Sequence, residues 1–265
     1  MNSFVRWAGS KRLLISELAT YRPKSMSRYV EPFAGSACFF FFLEPEKALL
    51  GDPNPELILM YREVRRDVDL VLECFRRLPR GERAYYAVRR RDPRALAPAE
   101  AAARFIYLNR FCFNGLFRTN LEGRFNVPYG PPKKPLNAFE DRVREAATLL
   151  RNAELRAADF ERIVADVRKG DFVYLDPPYV VRENSEAFSE YLPGSFASRD
   201  LERLSDALDR IDRGGATFLL SYARSSEADA LARRWSKRSV STRRNIAGFS
   251  GARKTTNEIL VTNIQ

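Results

Sequence analysis

The chain has 265 residues, 45% of them hydrophobic, enough for an α/β core carrying an inserted module. Its 45 Lys and Arg against 34 Asp and Glu give a net charge of +11, which favours a polyanionic partner. There is no histidine, which excludes mechanisms built on a His base and most zinc enzymes. The three cysteines, Cys38, Cys74 and Cys112, are too scattered for a disulfide framework or a metal site. No apolar run reaches the roughly 18 residues of a membrane span, and no signal-peptide core is visible, so a reducing, cytoplasmic location is expected.

Trp7-Ala8-Gly9-Ser10-Lys11 precedes a helical run from Arg12 to Leu18, with Ser10 placed to cap it. An aromatic, a glycine and a lysine so close together suit a ligand that carries a carboxylate and a sulfonium. The competing reading is a surface helix start with a buried Trp. Tyr29-Val30 reads as a strand, Glu31-Pro32-Phe33-Ala34-Gly35-Ser36 as a turn, and the apolar run to Leu43 as a helix. Ala48 to Leu50 reads as a second strand, ending in Gly51-Asp52-Pro53-Asn54, and Pro55 to about Arg66 has helical spacing. Residues 60–145 are largely helical in character and hold most of the excess positive charge. They include Arg89-Arg90-Arg91 and an alanine-rich stretch at 95–103, and they close on a Gly, Asn and Pro-rich segment, Asn109 to Pro135. Strand patterns return at Glu154–Ala157, Phe172–Leu175, Ala216–Ser221, Arg238–Thr242 and Ile259–Thr262. The simplest organisation is an α/β domain of residues 1–59 and 146–265, interrupted by a helix-rich basic insert of residues 60–145.

Asp176-Pro177-Pro178-Tyr179 carries the most chemistry. It follows a short apolar strand, and in open α/β sheets ligands bind at the carboxyl ends of strands. Proline has no N–H, so the run cannot continue a central strand. The Asp176 carboxylate and the Pro177 carbonyl are both acceptors, able together to grip an exocyclic amino group, and the Tyr179 ring can stack on the base that carries it. A simple strand-ending turn is the competing reading. In Glu31 to Ser36 only Gly35 is a glycine, whereas a phosphate-cradling loop would want more. Asp52, about 20 residues on, is placed to accept from a ribose hydroxyl. The pair points to an adenosine ligand without a diphosphate, S-adenosylmethionine, against ordinary helix capping by the two acids. Asn109-Arg110-Phe111-Cys112-Phe113-Asn114-Gly115-Leu116-Phe117-Arg118 mixes basic, amide and aromatic side chains suited to base edges and base steps, or to a buried aromatic cluster. Residues 237–254 hold Lys237, Arg238, Arg243, Arg244, Arg253 and Lys254 with no acid, which suits phosphate contact or a solvated hairpin.

Taken together, these blocks resemble a Dam-type DNA adenine-N6 methyltransferase of the D12 class. They are Arg6-Trp7-Ala8-Gly9-Ser10-Lys11, Glu31 to Ser36, Tyr107-Leu108-Asn109-Arg110 through Phe125-Asn126-Val127-Pro128-Tyr129-Gly130, and Asp176 to Tyr179. The basic block Arg243-Arg244 to Arg253-Lys254 also matches, so the resemblance spans nearly the whole chain. It implies a Rossmann-like, S-adenosylmethionine-dependent fold, a mostly parallel seven-stranded sheet with helices on both faces, plus an inserted helical DNA-recognition domain and β-hairpin. Carried over residue by residue, it implies cofactor contacts at Trp7, Ala8, Gly9, Lys11, Glu31, Phe33, Gly35 and Asp52. Asp159 and Phe160 would lie beside the adenine of the cofactor, and Asp176 to Tyr179 would form the catalytic block. The target adenine would be flipped out of the duplex, since its amino nitrogen is otherwise paired and stacked.

The resemblance also implies readout of GATC. Leu116, Arg118 and Pro128 match the readers of the later bases, Arg6 the reader of the first guanine, and Phe113 the aromatic that fills the gap left in the duplex. Asn109, Arg110, Asn114, Asn126, Arg243, Arg244, Arg253 and Lys254 complete the expected DNA surface. Double-stranded DNA is the expected partner of a monomer, with no metal and no membrane. The chain departs at Pro131-Pro132, where relatives can carry Arg and Tyr, so flank contacts are expected to differ; Ser10 also replaces a common Gly. Two rivals stand beside this expectation: an adenine-N6 methyltransferase with another DNA or RNA target, and a non-catalytic DNA-binding relative. Repair marking, restriction-modification and phage self-modification are all compatible roles.

Overall fold

The computed structural model describes residues 1, 3–120, 122–131, 136–178, 198–225, 229, 231–245 and 253–264; for residues 137, 198, 242–245 and 253–256 it describes the backbone alone. The elements in chain order are α1 (Ile15–Ala19), β1 (Arg28–Glu31), α2 (Cys38–Leu43), β2 (Ala48–Asp52), α3 (Pro55–Arg66), α4 (Val68–Arg77), α5 (Glu82–Arg90) and α6 (Pro98–Phe111). Then follow α7 (Asn137–Leu150), β3 (Ala153–Ala157), α8 (Phe160–Val164), β4 (Asp171–Leu175), α9 (Ser198–Arg213), β5 (Thr217–Ala223), β6 (Ser236–Asn245) and β7 (Arg253–Thr262). Every strand expected from the apolar pattern is present. The expected helix from Arg12 to Leu18 is instead a 3-10 turn, Lys11–Leu14, followed by α1.

The seven strands form one sheet in the order β3-β2-β1-β4-β5-β7-β6, with β7 alone antiparallel to its neighbours. This mixed α/β architecture is the Rossmann-like methyltransferase arrangement expected from the sequence. The strands are buried on both faces, because successive side chains point to opposite sides. Tyr29, Leu50, Phe172 and Tyr174 pack with α2, α3, α6 and α7 on one face. Val30, Leu49, Val173 and Leu175 pack with Phe160, Ile163, Leu204 and Leu208 on the other. The helices α4 to α7 share the first of these cores: Val71, Phe75, Tyr107 and Val143 belong to the same cluster as Tyr29.

Chain reversal in the strand order occurs between β1 and β4, where β2 and β3 lie to one side and β5 to the other. That is the position at which an open parallel sheet forms a crevice. Four carboxylates line its carboxyl edge. Glu31 ends β1, Asp52 ends β2, Asp159 follows β3 and Asp176 follows β4. At a strand spacing of about 4.8 Å the row from β3 to β4 extends about 14 Å, the reach of an extended small molecule.

Beyond the last β5 partner, Glu258, the β6–β7 ladder continues through Arg243↔Thr255, Arg244↔Lys254 and Asn245↔Arg253. This hairpin therefore projects past the same carboxyl edge.

Candidate active site and DNA-reading loop

Asp176 sits where β4 ends, half-buried, with Pro177 buried behind it and Pro178 exposed. Its Oδ1 accepts from the Lys11 ammonium at 2.5 Å and from the Ser221 hydroxyl at 3.0 Å. Ser221 lies on the neighbouring β5 and pairs with the Tyr174 hydroxyl at 3.0 Å. Lys11 also donates to the Gly9 carbonyl and lies 3.8 Å from Glu258 on β7. The carboxylate is therefore held directly by a group from β5 and one from the N-terminal turn, each with a further partner, on β4 and β7 respectively. Ser221 and Glu258 were not expected. The available signal is a polar residue within Phe218-Leu219-Leu220-Ser221-Tyr222 and an acid opening Glu258-Ile259-Leu260-Val261, both otherwise apolar runs.

Glu31 is buried at the next strand and accepts from Tyr29 Oη at 3.0 Å. Burial holds its carboxyl well above the usual carboxylate range, opposed only in part by the Tyr29 hydrogen bond. The adjacent Cys38 thiol is pushed up to about 11, again chiefly by burial. Asp52 is also raised by burial, while its backbone partners pull the other way. Its two oxygens accept from Gly35 N and Asn54 N, each at 2.9 Å. The cap of α3 is Asn54, which accepts from Glu56 N and Leu57 N, and α2 has no side-chain cap. Capping by Glu31 or Asp52 is thereby ruled out. Ser10 makes no side-chain cap either; its hydroxyl accepts from Ser36.

Trp7 lies on Gly35. A Cβ at Gly35, whose φ is +45°, would come within 2.7 Å of the Trp7 ring, so glycine is required there for both conformation and approach. The Gly35 carbonyl accepts from the Tyr61 hydroxyl at 2.9 Å, so Gly35 is held through the peptides on both of its sides. Ala8 and Gly9 are exposed, and a Cβ at Gly9 would meet nothing within 4 Å. Phe33, half-buried, stacks on Phe160 at 5.1 Å. Asp159 caps α8 and is bridged by Arg203, which also holds Glu161 and Asp200 and lies over the Phe160 ring. Tyr179 lies outside the described residues, as does Pro132, and of Arg243, Arg244, Arg253 and Lys254 only the backbone is described.

The structure divides the expected DNA-contact residues. The helix α6 runs to Phe111, so Asn109 and Arg110 fall on its last turn rather than in the loop, and both are buried. Asn109 exchanges two hydrogen bonds with the Arg6 backbone, at 2.9 and 2.7 Å, and Arg110 lies over the Phe139 ring. These two side chains brace the loop from inside.

Residues 112–120 and 122–130 then form the two limbs of an excursion, bridged at Cys112↔Tyr129 and Thr119↔Phe125. Phe113, Asn114, Arg118 and Pro128 are exposed on it, while Arg6, Leu116 and Asn126 are half-buried. Arg118 Nε donates to Asn126 Oδ1 at 2.9 Å across the limbs. Gly115 has φ +67°, and a Cβ there would meet the Arg6 side chain at 2.2 Å. The loop is held from the helical side by Tyr85 Oη on the Val127 carbonyl and by Arg89 on the Asn126 and Val127 carbonyls. Tyr85 did not stand out in the sequence, and Arg89 did so only within the basic run Arg89-Arg90-Arg91, because both lie in an ordinary amphipathic helix.

Comparison with known proteins agrees with this geometry. A family model described as D12 class N6 adenine-specific DNA methyltransferase matches residues 7–246. The type II methyltransferase M1.LlaDCHI of Lactococcus lactis subsp. cremoris is 33% identical over 271 residues, covering 99% of this chain and 95% of that protein. The DNA adenine methylase of Escherichia coli K12 is 30% identical over 266 residues, covering 97% and 94%. The type II methyltransferase M.MjaIII of Methanocaldococcus jannaschii is 33% identical over 239 residues, covering 82% and 83%. The chain belongs to the D12 class of N6 adenine-specific DNA methyltransferases.

Proposed function

We propose that this enzyme methylates N6 of an adenine flipped out of double-stranded DNA, within GATC, using S-adenosylmethionine. The single observation that carries the reading is the Asp176 carboxylate, fixed by Lys11 and Ser221 at the switch point of the sheet, beside half-buried Trp7 and the exposed Ala8 and Gly9. The residues along the edge fit the cofactor. Asp52 has lone pairs beyond its two backbone partners for ribose hydroxyls, the space above Gly9 is open, and Phe33 on Phe160 offers an apolar face for an adenine ring. When bound, S-adenosylmethionine supplies an electrophilic methyl group on sulfur.

The chain's own part is positioning. Asp176 and the Pro177 carbonyl accept the N–H bonds of the target amino group and aim its lone pair. Lys11 and Ser221 keep Asp176 in place. Residues 60–145 would serve as the DNA-recognition insert, with Arg6, Leu116, Arg118 and Pro128 toward base edges, Phe113 toward the vacated stack, and the hairpin of Arg243, Arg244, Arg253 and Lys254 toward phosphates. The exposure of Phe113, Arg118 and Pro128 on one loop supports this. So do the names of the relatives, which are DNA adenine methylases and type II methyltransferases.

The test is transfer of a labelled methyl group to a GATC duplex, to scrambled duplexes and to RNA, with the product nucleoside identified. N6-methyladenine formed on GATC above the scrambled sites is expected. Equal transfer to all duplexes removes the GATC assignment, and transfer to RNA alone removes the DNA assignment.

A further inference from the structure

We propose that Phe117 is a positioning residue that couples cofactor binding to target-site reading through its stack on Trp7. The inference rests on the placement of the cofactor beside Trp7. Within Asn114-Gly115-Leu116-Phe117-Arg118, the residues on either side of Phe117 are assigned to base edges, whereas its own ring turns inward. It stacks on Trp7 at 5.3 Å between centroids with 20° between planes. The same ring stacks on Phe105 of α6 at 5.4 Å and tilts against Phe125 of the opposite limb at 5.4 Å. Trp7 lies on Gly35, whose peptide is held by Asp52 and Tyr61. A continuous packed path thus runs from the Asp52–Gly35 peptide through Trp7 to Phe117, and from there to Leu116 and Arg118.

Packed aromatic contacts resist sliding, and a stacked pair is sensitive to ring offset. A ligand that fixes the Trp7 ring against Gly35 therefore fixes Phe117 and narrows the positions open to Leu116 and Arg118. By linkage the effect is reciprocal: a duplex that orders the reading loop orders Trp7 for the cofactor. A scrambled duplex, held by phosphate contacts alone, leaves Leu116 and Arg118 unengaged and transmits less.

The experiment uses the full chain with Trp235→Phe, which leaves Trp7 as the sole tryptophan. Dissociation constants of S-adenosylmethionine and S-adenosylhomocysteine are read from Trp7 fluorescence, alone and with saturating GATC or scrambled duplex. The expected result is tighter cofactor binding with the GATC duplex than with the scrambled one. Phe117→Leu, which keeps apolar bulk without a ring, should reduce that ratio by about threefold to tenfold, the range set by one stacked pair. Affinity for cofactor alone should stay within about twofold, and Phe117→Tyr should restore the ratio. An unchanged ratio in a folded Phe117→Leu protein overturns the coupling while leaving the cofactor placement intact. A ratio of one in the parent protein overturns it as well. Trp7 fluorescence that does not respond to cofactor overturns the placement and the coupling together.

Discussion

Asp176→Asn isolates the proposed role of the carboxylate from its role in the fold. Asn at this position keeps one carbonyl oxygen, which still accepts from Lys11 and Ser221 as Oδ1 does now. The second oxygen becomes an NH2 group, which donates where the target amino group also donates. One charge-assisted hydrogen bond of about 1.5–3 kcal/mol is lost, and two donors face each other at a further cost of about 1–3 kcal/mol. Together these amount to about 2.5–6 kcal/mol in the aligned complex, or a loss of about 10²–10⁴ in rate at about 1.36 kcal/mol per decade. Single-turnover transfer at saturating duplex and cofactor reads this directly, and binding of each ligand is titrated separately. Stability should fall less than for Asp176→Ala. In the Ala variant Lys11, almost fully buried, loses its nearest anion and keeps Glu258 at 3.8 Å. Breaking a buried pair in that way costs up to about 3–5 kcal/mol. Single-turnover rates within tenfold of the unmodified enzyme for Asp176→Asn would refute the positioning argument. A loss confined to ligand affinity would make Asp176 a binding group instead.

Arg118→Ala should relax discrimination at one base pair of the site by about 1–3 kcal/mol in a profile over single-base variants; Arg243→Ala or Arg244→Ala should weaken all duplexes alike and lower the salt slope by about one. A uniform loss for Arg118→Ala would make it a phosphate contact. Cys38 and Cys112, both pushed up to about 11 chiefly by burial, are ionised at pH 8 to roughly one part in a thousand. An aromatic disulfide reagent should label Cys74 alone in the native protein and all three thiols in denaturant, and rapid native labelling of Cys38 would contradict the buried placement. Glu31 has a folded pKa above its unfolded value, so the folded state gains from its proton at low pH and loses that gain as pH rises through the folded pKa. Glu31→Gln should therefore raise the Tm of the cofactor-free protein by a few degrees at neutral pH, with no gain at pH values below the unfolded carboxylate range; a lower Tm at pH 7 would contradict this.

The strands were legible because a strand buried on both faces leaves a short continuous apolar run, as in Phe172 to Leu175. Glu31, Asp52 and Asp176 were legible because each ends such a run, whereas Asp159 follows the mixed strand Ala153–Ala157 and was expected only from the resemblance. The limits lie where local pattern and tertiary packing diverge. Asn109 and Arg110 look like loop residues because they adjoin a Gly, Asn and Pro-rich stretch. Packing carries α6 one turn further and draws both side chains inward, against the Arg6 backbone and the Phe139 ring. Ser221 and Glu258 show only as polar residues in apolar runs, and Tyr85 and Arg89 only as members of a helix; the partners of all four are distant in sequence, so no local pattern says what they hold. Phe117 was visible as one of several aromatics, but its stack on Trp7 joins segments over one hundred residues apart, which no spacing reveals.

The short N-terminal segment is where these distant contacts meet. Arg6 packs on Gly115 and exchanges backbone hydrogen bonds with Asn109, Trp7 lies between Gly35 and Phe117, and Lys11 reaches Asp176. Six consecutive residues thus touch the reading loop, the proposed cofactor edge and the carboxylate that would hold the target. A chain without histidine cannot set its rate by a neutral-range His base. On the proposed mechanism its rate comes from alignment, where small misplacements are costly. Alignment between two ligands and a loop is most economically kept by one element that contacts all three. The prolines after Asp176 serve the same end, because they stop the strand where the carboxylate must leave the sheet. On this argument the segment from Arg6 to Lys11 is the frame of the site, and the pocket at Asp176 is the place where that frame becomes chemistry.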